Sequence, residues 1–453
     1  MQIRIYFILF SLSFIFNFSA FENDTIKKNV ITKEEKNIHE TGNKLMEIGK
    51  LRLALIEYKS CYQKNPTYLE NTYKLGFCHY KLGNYGYAYQ YAKMVNENTK
   101  KANIEHLFLL AQSCHQLEKI DSALFLYKKI DSLCTKKQNK ELFLNKKINQ
   151  CLFYQVEKDS LKKSPLKSPL SEINSDYHDY SALMIKEGKE IYFTSRRENT
   201  TGGRSNPDDE QYFEDNYRAV WNSNENKWDS ISNQLERINS QGFDCISYLS
   251  ADGLKGLMTL NNTAVQKENT TKSSDICEIS FSNKGKWQSP KVIDNNSINS
   301  PNFDACATMT ADGQTMYFVS DRDADKSMTD IFVVKKEGNK WGSAKPVSDS
   351  INTDFNETTP FISPDGRYLF FSSEGHEGLG GYDIYVSENM GGTWTKPVNL
   401  GYAINSVNDD THFVFYPKIG KALFSSVNHA FLKSNIDIYE IDLNKYKIPK
   451  TVK

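Results

Sequence analysis

Five acids recur at one spacing in this chain, each six residues after an isoleucine that opens an Ile-Asn-Ser or Ile-Asn-Thr triplet. The triplets are Ile173-Asn174-Ser175, Ile238-Asn239-Ser240, Ile298-Asn299-Ser300, Ile351-Asn352-Thr353 and Ile404-Asn405-Ser406. The acids are Asp179, Asp244, Asp304, Glu357 and Asp410. Five carboxylates around one axis could hold a cation or a basic peptide. Bare carboxylates that converge also repel one another. A task repeated in every unit suits structure better. Each acid is therefore expected to accept hydrogen bonds from the backbone or the Asn/Ser of its own triplet and to tie one unit to the next.

Other polar groupings carry less. Asp321, Asp323 and Asp325 alternate as in a calcium loop, but Lys326 stands where such a loop wants Gly and Phe332 where it wants Glu. A solvated acidic loop, neutralised by Arg322 and Lys326, is expected. Ser387-Glu388-Asn389-Met390-Gly391-Gly392-Thr393-Trp394 resembles the sialidase Asp-box, with Asn389 in place of the acid. That box is a hairpin element, so it reports fold. Sialidase chemistry would also need three arginines on one carboxylate, and nothing in the placement of Arg196, Arg197, Arg204, Arg218, Arg237, Arg322 and Arg367 singles out a triad. Ser195, Ser320 and Ser372 recur with the unit and read as turn-forming. No nucleophile elbow, phosphate loop or zinc helix motif occurs. No cofactor, metal or catalytic residue is expected.

The acids must be positioned by the unit that repeats them. The isoleucines lie 65, 60, 53 and 53 positions apart, the period of a repeated supersecondary unit. Each unit carries a turn, such as Asp252-Gly253, Asp312-Gly313 or Asp365-Gly366, between apolar runs. Runs such as Met316–Ser320 and Tyr368–Ser372 are β-branched and aromatic, suited to a pleated surface. A third run opens at Asp275, Asp330, Asp383 or Asp437, and a fourth at Trp228, Trp287, Trp341 or Trp394. Four antiparallel strands in series predict propeller blades. The stretch from Ser164 to Asn174 reads as an orphan fourth strand that completes the last blade and closes the ring. Five blades are predicted, with six as the alternative.

The segments Ser363–Ser373 and Gly381–Tyr385 resemble the WD40-like repeat of TolB-type periplasmic propellers over roughly residues 160–443. A second repeat runs through 36–135. Ala54, Ala88 and Ala123 are 34 and 35 apart, and Gly42, Gly76 and Ala111 each precede them by twelve. Leu51, Leu55, Tyr58 and Tyr62 recur at helical spacing. This resembles the tetratricopeptide repeat, two antiparallel helices per unit. A further helix near 140–158 is expected to cap it. Tyr73, Tyr80, Tyr87 and Tyr91 are candidate partner-binding residues, although their helical spacing also suits core packing.

The predicted fold class is α+β multidomain, an N-terminal α-helical solenoid followed by an all-β propeller. The expected domains are a signal peptide at 1–20, helical repeats at 36–158, the propeller at 159–443 and a tail at 444–453. Arg4 before the apolar run Ile5–Phe16, with Ala20 as the small residue at the cut, reads as an export signal. That run is short for a membrane span, so the mature chain is expected not to span a membrane. Lysine plus arginine equals aspartate plus glutamate, at 56 each, and a neutral chain offers no basic field for nucleic acid. Eight cysteines without Cys-x-x-Cys or zinc spacing read as buried free thiols, with pairing as the alternative.

The order of signal, helical repeats and propeller resembles the front part of Bacteroidetes envelope proteins of the OmpA family, without their OmpA-like domain. The resemblance implies a periplasmic or outer-membrane-associated protein, some relatives serving type IX secretion or gliding. The expected function is a non-catalytic scaffold that binds envelope proteins through the helical groove and the propeller faces. The alternative is a glycan-binding or sialidase-like propeller.

Overall fold

The computed structural model describes residues 30–160, 167–203, 205–206, 211–235, 237–261, 274–322, 328–430 and 433–451. The expected signal peptide at 1–20 lies outside them. So do Arg204 and the loop residues Asp323, Asp325 and Lys326.

The first part is a stack of helix pairs: α1 (Lys33–Glu47) with α2 (Leu51–Lys64), α3 (Leu69–Lys81) with α4 (Tyr85–Asn98), and α5 (Ile104–Gln116) with α6 (Ile120–Leu133). The short α7 (Lys136–Glu141) and the longer α8 (Leu144–Ser160) follow. The expected capping helix near 140–158 corresponds to α8, and the short α7 precedes it, set apart where Phe143 turns the chain with φ 51°. Each pair turns at a left-handed residue, Gly49, Gly83 and Glu118. There Lys50, Asn84 and Lys119 donate back to the carbonyls of Leu45, His79 and Cys114 at 2.8, 2.9 and 2.9 Å, which satisfies the helix end. Small residues let the pairs approach: a methyl on Gly42 would meet the Tyr58 ring, and one on Gly76 would press on Tyr91.

The second part is five four-stranded antiparallel sheets, with a short extra pairing in the third. Their inner strands are Asp179–Ile185, Phe243–Leu249, Asp304–Met309, Glu357–Ile362 and Asp410–Tyr416. The fourth strands of the second, third and fourth blades are short: Lys291–Val292, Lys345–Pro346 and Val398–Asn399. Pro290, Pro346 and Pro397 lie in or beside them, and proline cannot donate to a ladder. Trp287 and Trp394 consequently sit in isolated bridges ahead of those strands.

The fifth blade takes its outer strand from Lys167–Pro169, which pairs antiparallel with Tyr439–Ile441. The ring is thus closed at five blades by a strand that precedes the first. The triplet isoleucines are all buried, none more than 1% exposed. No disulfide joins any of the eight cysteines, and seven of them are buried.

Candidate functional site

The five repeated acids are the first or, for Asp244, the second residue of the inner strands and so lie on one rim of the ring, all fully buried. Each turns back into its own triplet. Ser175, Ser300 and Ser406 donate their N–H to Asp179, Asp304 and Asp410 at 2.6 Å. Ser240 does so to Asp244 at 2.5 Å and Thr353 to Glu357 at 2.8 Å. The carboxylates therefore do not converge on a shared ion.

The triplet asparagine does the joining. Asn299 accepts the N–H of Ile276 at 2.8 Å and donates to its carbonyl at 2.9 Å. Asn352 does the same to Ile331, Asn405 to Ile384 and Asn239 to Asn216. Asn174 does it to Ile438 of the last blade, so the same device also locks the closure. In each case the partner lies on the third strand of the preceding blade.

Charge around the acids varies from blade to blade. Arg197 lies 3.1 Å from Asp179 and Arg322 lies 2.5 Å from Asp304. Both guanidinium groups also donate to the triplet isoleucine carbonyl, Ile173 or Ile298. In the fourth blade the position equivalent to Arg322 is Gly375, and His376 Nε2 meets the Ile351 carbonyl at 2.8 Å instead. Burial pushes the carboxyls of Asp244, Glu357 and Asp410 up, to about 7, about 8 and about 6.

The inner strands meet one another around the axis of the ring. Ser181, Cys306, Thr359 and His412, each two residues after its acid, adopt φ of 54, 51, 45 and 54°. The inner strands bulge there, and in the second blade the bulge falls one place later. A left-handed β-branched residue such as Thr359 is strained. Its hydroxyl accepts the His412 N–H at 3.2 Å and donates to Ser372 at 3.1 Å. A pocket between these strands, lined by Ser181, Cys245, Cys306, Thr359 and His412, has about 20 Å³, room for about one water.

Five of the described propeller arginines, Arg196, Arg197, Arg218, Arg322 and Arg367, take separate partners. Arg218 pairs with Glu190 at 3.0 Å, Arg367 with Glu388 at 2.8 Å, and Arg196 donates to the Tyr212 carbonyl at 2.7 Å. Arg237 is exposed on a left-handed turn. Asn389 of the Asp-box-like turn accepts the N–H groups of Gly391 and Gly392 at 3.1 and 2.8 Å, holding a hairpin. Among the described residues, no group of His, Cys, Asp and Glu is placed to hold a metal ion. No described helix is long and apolar enough to cross a membrane.

The four tyrosines fall into two sets, and all are half-buried. Tyr73 packs on His106 with ring centres 4.9 Å apart, and Tyr80 packs on Tyr85 at 5.4 Å. Tyr87 and Tyr91 stack on His79 at 4.9 and 5.6 Å, and Tyr91 meets Tyr62 edge-on.

Sequence reasoning missed how the helices meet the propeller. Leu379 and Val407, on loops of the fourth and fifth blades, are fully buried within the core of α5, α6 and α8 beside Tyr127, Cys151 and Tyr154. His115 Nε2 lies 3.0 Å from the Leu379 carbonyl, and Gln150 donates to the Gly380 carbonyl. Lys146 donates to the Glu374 carbonyl and covers the Phe355 ring. Glu118, which turns the third helix pair, receives the hydroxyls of Tyr154 and Tyr402 at 3.0 and 3.4 Å. The available signal was the glycine run in Glu374–Tyr382. A methyl on Gly380 would run into the Val407 carbonyl.

Comparison with protein families matches residues 50–130 to the family described as anaphase-promoting complex, cyclosome, subunit 3. No curated protein sequence matches the chain. Solved structures similar to it include an α-L-arabinofuranosidase from Podospora anserina, 10% identical over 61% of this chain and 94% of that one, with a TM-score of 0.37. An α-L-arabinofuranosidase from Clostridium thermocellum is 15% identical over 60% and 93%, at 0.36. The periplasmic gluconolactonase of Pseudomonas aeruginosa is 10% identical over 60% and 88%, at 0.31. Likenesses this distant carry no argument about activity. From its own strand pairing and the family match, the chain joins tetratricopeptide-like helix pairs to a five-bladed propeller.

Proposed function

We propose that this protein is a non-catalytic scaffold of the cell envelope that presents two interaction modules to partner proteins in one fixed arrangement. The observation that carries the reading is the shared core. Leu379 and Val407 of the propeller complete the apolar interior of the helical stack. A catalyst needs a reachable site with poised groups, whereas Arg196, Arg197, Arg218, Arg322 and Arg367 take separate partners and the pocket between the inner strands has about 20 Å³. Helical repeats and propellers both serve as rigid binding surfaces. The envelope assignment rests on the signal-like start, and a place in an outer-membrane, type IX secretion or gliding assembly rests on the family resemblance.

The test is cross-linking in cells with a C-terminal tag, followed by mass spectrometry. Recovery of specific envelope proteins, linked to both modules, is expected. Turnover of a fluorogenic sialoside that is abolished by changing one propeller arginine would replace this reading with the glycan-acting one.

A further inference from the structure

One end of the helical stack, between α5 and α8, is filled by the propeller's own Leu379–Gly380 segment. A different surface of the stack is open. Between α4, α5 and α6 lies a groove of about 800 Å³ to which the propeller contributes no residue. Its apolar lining comes from Tyr89, Leu107, Leu110 and Leu126. Phe125 stands at its edge with 66% of its surface exposed. An exposed aromatic beside an apolar floor is costly in water and marks a contact surface.

The rim of the groove carries its charge. Lys93, Lys100, Lys101 and Lys129 line it, against only two acids, Glu97 and Asp121. Glu97 is matched by Lys93 at 3.7 Å, and Asp121 accepts the Gln155 amide at 2.8 Å. Lys119 adds a further cation over the Tyr89 ring at 3.8 Å. The groove is therefore locally basic on a chain whose formal net charge is zero.

We infer that the groove between α4, α5 and α6 docks an amphipathic segment of a partner protein, with leucine-sized side chains on the floor and acidic side chains against the lysine rim. This deepens the scaffold reading and rests on it. Helix-in-groove recognition places apolar anchors at i, i+3, i+4 and i+7 and leaves the flanks for charge. Complementary charge sets which segment is accepted and how fast it arrives.

The probe is a fluorescein-labelled 18-residue peptide, with leucine at helical spacing and glutamate elsewhere, and a twin in which lysine replaces every glutamate. Both are titrated by fluorescence anisotropy into the full chain at low and physiological salt. The glutamate peptide is expected to bind at least tenfold tighter than its twin, and more weakly as salt rises. The double variant Lys93→Glu with Lys129→Glu should lose or invert that preference, and Phe125→Ser should weaken binding of the glutamate peptide by about tenfold, corresponding to a hot-spot residue. These side chains are exposed, so each variant should melt with the parent, which separates lost docking from lost folding. Equal binding of the two peptides, or a preference untouched by the charge reversal, overturns the inference. If cross-links in cells still join partners to other surfaces, the scaffold reading survives that result. If no partner is recovered at all, the scaffold reading fails by itself.

Discussion

His115 Nε2 and the carbonyl of Leu379 lie 3.0 Å apart although 264 positions of chain separate them. The bond joins the end of α5 to a propeller loop. With Leu379 fully buried beside it, two modules built from different repeats share one interior. Leu379→Ala should therefore destabilise by about 2–5 kcal/mol, the range for emptying a buried leucine site. Hydrogen exchange should rise in α5 and α8 as well as in the propeller loop. Faster exchange in the loop alone would mean that the two parts do not support each other.

Burial holds the His115 imidazole neutral, with its pKa lowered to about 3 from an ordinary value near 6.5. A neutral-buried histidine contributes stability that is present above its unfolded pKa and lost as pH falls from there toward the folded value. Against a His115→Gln variant, the parent should lose stability as pH drops from about 6.5 to about 4. Parallel stability curves for the two proteins over that range would show that His115 takes up its proton without cost to the fold.

Glu357 has the opposite sign. Burial raises its carboxyl to about 8, so the folded state holds a proton that the unfolded chain releases near 4.5. Its contribution is complete at low pH and disappears as pH rises through about 8. Relative to Glu357→Gln, the parent should lose about 1–3 kcal/mol between pH 5 and 8.5, measured by urea unfolding. A parent that gains stability over that interval would overturn the assignment.

Asp304 and Asp410 hold equivalent triplets, but Asp304 also faces the Arg322 guanidinium. Asp410→Ala orphans the Ser406 donors and should cost about 1–3 kcal/mol. Asp304→Ala also strips the carboxylate from Arg322, which is 18% exposed, and should cost more, about 3–5 kcal/mol. Thermal melts of both variants give the order. An unchanged melting curve for Asp304→Ala, together with lost partner capture, would move that acid from structure to binding.

Asn174 fastens the first triplet to Ile438 across the ring closure. Asn174→Ala should raise hydrogen exchange selectively in the strand Lys433–Asp442, where the closing strand Lys167–Pro169 pairs. Protection unchanged in that strand would mean that the ladder alone keeps the ring shut.

The blades, their order and the closing strand were legible in the residues because they depend on short-range regularities. β-Branched and aromatic runs set the strands, Asp-Gly sets the hairpin turn in the middle three blades, and an acid four residues after a serine or threonine can cap its own loop. The helix pairs were legible for the same reason, through small residues at 34- and 35-residue intervals. What depends on contacts between distant segments was not. Ser181, Cys306, Thr359 and His412 share one backbone conformation but no residue type, since neighbouring inner strands impose it. Arg197 and Arg322 find their acids 18 positions away only because two strands pair between them. The seating of Leu379 and Val407 in the helical core has no periodic trace in the sequence. It comes from shape and burial between two finished modules, and only the tertiary structure decides that.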